Sequence, residues 1–208
     1  MILPDRSSLA LQPAPHWRLY ATRHACGLPT ELVSWLLDTG SLTRRLRQDC
    51  PGCFQVRVLW QGWSRPSRDE AQTLQLRPHA RVWTREVQLL CGGQARVFAR
   101  TLVPAATLRG RGRHLTRLGS RPLGEVLFTD PGVNRGPLRI ARLSAGQALY
   151  QRACAGLTTV PDRLWGRRSI FRIDGCPLLV CEIFLPVPAP STAAVDRLGV
   201  PDDEHRPL

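Results

Sequence analysis

The eight residues between Pro177 and Pro186 are apolar on both alternating faces except for Glu182. Such a run reads as a strand covered on both sides. From Arg81 to Leu90 a period of two predicts a second strand. Arg85 shares one of its faces with Trp83, Val87 and Leu89, and Thr84, Glu86 and Gln88 take the other. Phe54, Val56, Val58 and Trp60 alternate with Gln55, Arg57 and Leu59, which gives a half-buried strand ending at Gly62. Residues 63–72 are polar, contain Pro66 and read as a loop, with a short strand over Leu74–Leu76. Gly92-Gly93 fits a two-residue hairpin loop. The return strand carries Val97, Ala99, Thr101 and Val103, includes Arg100 and closes at Pro104. Residues 137–143 predict another strand. Ser169, Phe171 and Ile173 lead through the Asp174-Gly175 turn into the Glu182 strand, a second hairpin.

Helical periodicity appears between these strands. Thr30 is read as an N-cap before Leu32, Val33, Leu36 and Leu37, with a stop at Gly40; Ser41 then caps a helix that begins at Leu42 and turns Leu46 inward. Two short helices joined so tightly form a hairpin that can lie as a flap on a sheet. A second flap is predicted from His114–Leu118 and from the stretch after Pro122 that holds Val126, Leu127 and Phe128. Gln147–Ala155 predicts a further helix. Strands and helices come in groups without regular βαβ alternation, so the expected class is α+β, an antiparallel sheet with helices on one side.

Two charges break the apolar pattern. Glu182 shares a face with Leu178, Val180 and Phe184, and burying it unpaired costs several kcal/mol, roughly, so the chain must supply a partner. Arg85, on the apolar face of its own strand, is the best candidate. A structural ion pair, a snorkelling arginine at a sheet edge, and two charges facing a polar ligand in an apolar cavity all fit this spacing.

Composition narrows the class. The chain has 208 residues and an apolar fraction of 43%, enough for one domain with a good core. No apolar run approaches the roughly 20 residues of a membrane span, and no opening stretch combines a basic start with an apolar segment. A cytoplasmic protein without membrane insertion is expected. The net charge of +13 suggests nucleic acid or an anionic substrate. All 29 basic residues are arginine, however, and they are scattered, the densest group being Arg109, Arg111 and Arg113. This pattern looks like codon bias more than selection for phosphate contacts, so no nucleic-acid partner is expected. Seven cysteines at irregular spacing make no disulfide framework and are read as reduced thiols. Cys50-Pro51-Gly52-Cys53 lacks a second pair in a zinc-binding position and reads as a Pro-Gly turn. With no Gly-rich phosphate loop either, neither a metal nor a cofactor is expected.

A series of stretches, in order over roughly residues 30 to 186, resembles the bacterial chorismate pyruvate-lyase family. They are Ser34-Trp35-Leu36-Leu37, Ser41-Leu42-Thr43-Arg44-Arg45, Trp83-Thr84-Arg85-Glu86 and Arg100-Thr101-Leu102-Val103-Pro104. Further on come Leu118-Gly119, Pro122-Leu123-Gly124, Leu127-Phe128-Thr129, Leu164-Trp165-Gly166-Arg167-Arg168-Ser169 and Cys181-Glu182-Ile183-Phe184-Leu185-Pro186. The resemblance implies a single α+β domain with about six antiparallel strands and two helical flaps over an internal ligand site. It also implies Arg85 and Glu182 as polar, catalytic anchors, with Leu42 and Leu123 lining the site through backbone and side chain. The implied reaction eliminates pyruvate from chorismate to give 4-hydroxybenzoate for ubiquinone, with no cofactor. Leu42 stands where the family usually has Met, and the segment between Phe128 and Trp165 is longer than in shorter members.

Chorismate is a dianion, so a second arginine is expected for its pyruvyl carboxylate; Arg100 and Arg168 are the candidates. A closed site also predicts slow release and inhibition by the product. The expected organisation is a tail over residues 1–15, a lyase-like domain over 16–186 and a tail over 187–208, in a monomer. The alternative is a ligand-sensing domain of the same fold, as attached to transcription regulators. About 25 residues precede the first core helix, too few for a DNA-binding domain, which favours the enzyme.

Overall fold

In the computed structural model, residues 13–19 and 27–186 are described. Their elements run β1 (Arg18–Leu19), α1 (Thr30–Leu36), α2 (Leu42–Asp49), β2 (Phe54–Ser64), α3 (Arg68–Thr73), β3 (Val82–Cys91), β4 (Gln94–Pro104) and α4 (Ala105–Arg109). A 3-10 helix (Arg111–Arg117), α5 (Leu123–Thr129), β5 (Val133–Arg135), β6 (Arg139–Ser144), α6 (Ala148–Cys154), β7 (Arg163–Ile173) and β8 (Cys176–Phe184) follow. The strands form one antiparallel sheet in the order β1-β6-β7-β8-β4-β3-β2, and β5 pairs with the far end of β7. Among the described residues the sheet thus has eight strands where about six were expected. The class is α+β.

Both hairpins form where the turn residues demand. Gly92 and Gly93 take φ of 56° and 79°, and Asp174 and Gly175 take 48° and 81°, the left-handed pair that lets a two-residue loop follow the strand twist. Between Leu89 and Leu90 a bulge shifts the β3–β4 register, so that Arg85 pairs with Thr101 and Glu86 with Arg100.

Alternation on β4 and β8 separates two covered faces. Val97, Ala99, Thr101 and Val103 face the two flaps, α1–α2 and the 3-10 helix with α5, through Leu36, Leu42, Leu46, Leu115, Leu118 and Leu127. Phe98, Leu102, Leu179, Cys181 and Ile183 point the other way, against Trp17, Leu74 and the α6 residues Tyr150, Ala153 and Cys154. Helices therefore lie on both sides of the sheet, not on one. The stretch read as a loop contains α3, opened by a capping box in which Ser67 Oγ accepts from Glu70 N–H and Glu70 accepts from Ser67 N–H. No strand forms over residues 74–76. At α1 the cap is Pro29, and Thr30 is the first helical residue.

The cysteines need a correction too. Cys50, which ends α2, and Cys91, which ends β3, form a disulfide, while Cys53, Cys154, Cys176 and Cys181 are free thiols. The pairing comes from tertiary placement: Phe54 lies opposite Cys91 at the start of β2, and this brings the end of α2 to the end of the β3–β4 hairpin. Spacing along the chain carries no trace of it. Of the expected tails, residues 13–15 have no helix or strand, and 1–12 and 187–208 lie outside the described residues.

Candidate active site

A partly enclosed cavity lies between the flap-facing side of the sheet and the two flaps. The floor is set by register. Arg85, Thr101, Val180 and Ser169 form one row across β3, β4, β8 and β7; Val87, Ala99, Glu182 and Arg167 form the next. Ala99 and Thr101 are the small residues of β4 at this level, and they leave room between Arg85 and Glu182. The roof is made of helix starts. Leu42 and Thr43 open α2, and Leu123 and Gly124 open α5, where the first N–H groups have no acceptor inside the helix. Ser41 caps α2 by accepting from Arg44 N–H at 3.3 Å. The helix starts meet closely: a Cβ on Gly124 would lie 2.9 Å from Thr43 Oγ1 and 3.1 Å from Ser41 Oγ.

All four sequence-chosen residues, Arg85, Glu182, Leu42 and Leu123, line this cavity. The arginine and the carboxylate are on the same side of the sheet, but they are not partners. Glu182 Oε2 accepts from Arg167 Nε at 2.6 Å, and β4 separates Arg85 from Glu182. Arg167 has no exposed surface and also donates through Nη1 to the carbonyls of Trp35 and Asp38 at 2.6 and 2.7 Å. One guanidinium thus ties the turn of the first flap to Glu182. Counting outward from the Asp174-Gly175 turn puts Arg167 opposite Glu182, so the sequence held this signal.

Arg85 is free for a ligand. It is 4% exposed, and its Nη2 donates to the carbonyls of Gly119 and Arg121 at 2.8 and 3.1 Å, holding the approach to the second flap. Its Nε is buried with no partner among the described residues. Burial pushes its pKa down, and no carboxylate compensates. An orphaned charged donor on an apolar cavity wall calls for an anion. Glu182 keeps Oε1 without a hydrogen bond among the described residues, so the cavity holds a donor at one end and an acceptor toward the other.

The two arginines expected for a second carboxylate face away. Arg100 alternates off the row of Ala99 and Thr101 and pairs with Glu70 at 2.7 Å and Glu86 at 2.5 Å on the opposite face. Arg168, next to Arg167, alternates likewise; it pairs with Asp69 at 2.5 Å and stacks over Trp17. Both have carboxylate partners and neither reaches the cavity. Among the described residues no group of three or more His, Cys, Asp or Glu could hold a metal.

Comparison with known proteins bears on the site. A sequence-family model described as chorismate lyase matches residues 20–193. A protein of Azoarcus sp. (strain BH72) named probable chorismate pyruvate-lyase is 46% identical over 176 residues, covering 83% of this chain and 88% of that protein. One of the same name from Methylococcus capsulatus is 44% identical over 155 residues, covering 74% and 94%. Among solved structures, PhnF from Mycobacterium smegmatis aligns with a TM-score of 0.53 at 16% identity, over 71% of this chain and 64% of that one. Its effector domain alone aligns with a TM-score of 0.51 at 15% identity, over 71% and 90%. These two likenesses concern the fold alone.

Proposed function

Since the chain belongs to the chorismate lyase family, we propose that it is a chorismate pyruvate-lyase, converting chorismate to 4-hydroxybenzoate and pyruvate as a step toward ubiquinone. The single observation that carries the reading to this chain's own residues is the cavity shared by Arg85 and Glu182 beneath two helix starts. Chorismate carries a ring carboxylate, a C4 hydroxyl and an enolpyruvyl ether at C3. The C3–O bond breaks, hydrogen leaves C4, the departing enol takes a proton to become pyruvate, and the ring becomes aromatic. Much of the driving force lies in the substrate, so the protein's part is to orient it and exclude water.

Arg85 binds the ring carboxylate through the donors that its flap contacts leave open, in a site where the attraction is little screened. N–H groups at the starts of α2 and α5, next to Leu42 and Leu123, add donors to the bound ring. Glu182, with Oε2 held by Arg167, presents Oε1 to C4 as acceptor for the group that changes there. The enzyme works in the cytoplasm as a monomer, and among the described residues no helix is long and apolar enough to cross a membrane.

Incubation with chorismate, followed by chromatography for 4-hydroxybenzoate and pyruvate in equal amounts, tests the reaction. Glu182→Gln is expected to lower kcat by about 10²- to 10⁴-fold, while Arg85→Ala acts mainly on KM, raising it by about tenfold or more. Near wild-type kcat for Glu182→Gln would remove the residue from the mechanism.

A further inference from the structure

Arg85 is the one arginine among the described residues that line the cavity, and the substrate has two carboxylates. Arg85 faces the ring carboxylate; the charge of Arg167 is paired with Glu182 and its Nη1 donates to the flap carbonyls, while its buried Nη2 has no partner among the described residues; Arg100 and Arg168 lie across the sheet. The segment beyond Phe128 supplies another. Arg135, on β5, pairs with Phe171 of β7. Its guanidinium carbon lies 5.3 Å from the ring centre of Phe171 and 5.7 Å from that of Phe128, and both rings line the cavity. Nε donates to Ser169 Oγ at 3.1 Å, and Nη1 donates to the carbonyls of Thr39 and Gly40 at 2.7 and 3.2 Å. Nη2 makes no hydrogen bond among the described residues, and no carboxylate there forms an ion pair with this arginine. Burial lowers its pKa, and the charges of Glu182, Arg167 and Asp38 also act on it, so its guanidinium lies within electrostatic reach of Glu182.

Strand order gives the geometry. Across the sheet Arg85 stands on β3, Glu182 on β8 and Arg135 on β5 beyond β7, so in strand order the carboxylate lies between the two cations, while along the strands Arg135 is level with Phe171 and reaches back to Ser169. Neighbouring strands are about 4.8 Å apart, so the span from β3 to β8 is about 10 Å. That span accommodates a six-membered ring with its carboxylate toward Arg85 and C4 toward Glu182. A substituent at C3, next to C4, then leaves the ring close to Glu182 and can extend toward β5. Phe128, which packs edge-on against Phe171 beside Arg135, is 41% exposed.

From this arrangement we propose that Arg135 is the subsite for the second carboxylate, that of the enolpyruvyl side chain. The inference rests on the reaction proposed above. It makes Arg135 a substrate contact that the aromatic product, with its single carboxylate, does not use. A residue that only pinned the α1–α2 turn would treat substrate and product alike.

The test compares two benzoates that differ only at the proposed contact, 3-(carboxymethoxy)-4-hydroxybenzoate and 3-ethoxy-4-hydroxybenzoate, by calorimetry on wild type, Arg135→Gln and Arg135→Lys. Wild type is expected to prefer the diacid. Arg135→Gln is expected to weaken the diacid by about 10- to 100-fold and the ethoxy compound by less than about threefold, with Lys restoring part of the difference. A diacid preference that survives Arg135→Gln, or equal weakening of both ligands, overturns the proposal. These equilibria need no turnover: a wild type that prefers the diacid through Arg135 yet leaves chorismate unchanged would end the reaction proposed above and keep the subsite.

Discussion

Glu182 announces in the sequence that it needs a cation, because a carboxylate between apolar residues of one strand face cannot be left unpaired. Which cation it meets depends on register. Arg85 shares its cavity, but Arg167 is the arginine that hairpin pairing sets directly opposite. Read from composition alone, the Gly166-Arg167-Arg168 run looks like a basic turn. Only alternation along β7 sends one arginine to the cavity and its neighbour to the far face. Replacing Arg167 by Met strands a largely buried carboxylate and is expected to cost about 3 kcal/mol in urea unfolding. Adding Glu182→Gln to that variant should return part of the loss. A second buried carboxylate sets the acid response. Burial alone would raise the pKa of Glu70, but the charge and hydrogen bonds of Arg100, the Ser67 N–H and the charge of Arg152 outweigh it and hold the carboxyl below its ordinary value of 4.5. A group depressed by folding stabilises the fold above its unfolded pKa and loses that contribution as pH falls through the folded value. The urea midpoint should therefore fall as pH drops below 4.5, and less steeply in Glu70→Gln, which lacks the titrating group.

At the level of elements, turn and cap chemistry made most of the fold legible. Gly92-Gly93, Asp174-Gly175 and the Ser41 cap all do what their residue types demand. The helix α3 went unread because Pro66 and its charged residues suggest a loop, although Ser67 and Glu70 stand at capping-box spacing. The bulge at Leu89/Leu90 has no residue signature, and it decides whether Arg85 faces Thr101 or Arg100. The flaps depend on one position without a side chain. Gly124→Ala places a methyl 2.9 Å from Thr43 Oγ1 at the start of a neighbouring helix, so the two flaps must part by a few tenths of an ångström. Faster dissociation of 4-hydroxybenzoate, by about tenfold in stopped-flow fluorescence, is the expected outcome if flap opening limits release. An unchanged dissociation rate would assign release to another step.

For the whole molecule, the expectation of helices on one side did not hold: β4 and β8 are apolar on both faces, and α6 packs on the second. The far face also buries the charges of Arg100, Glu70, Glu86 and Arg168, which look like surface residues in a linear text. The disulfide is a feature of the same scale. Cys50–Cys91 spans 41 residues and fastens the first flap to the end of the β3–β4 hairpin; the chain-entropy relation gives such a loop about 4 kcal/mol. Thermal unfolding with and without a reductant should show a lower midpoint for the reduced protein, and Cys91→Ser should abolish the difference. Arg85 joins site and covering in another way, since the nitrogen it lends to Gly119 and Arg121 belongs to the guanidinium that awaits the ligand. Anyone re-engineering the catalyst for speed would find that changing this anchor also unhooks the lid above it. Grip and dwell time can be tuned separately only elsewhere, for instance at the glycine where the two helix starts touch.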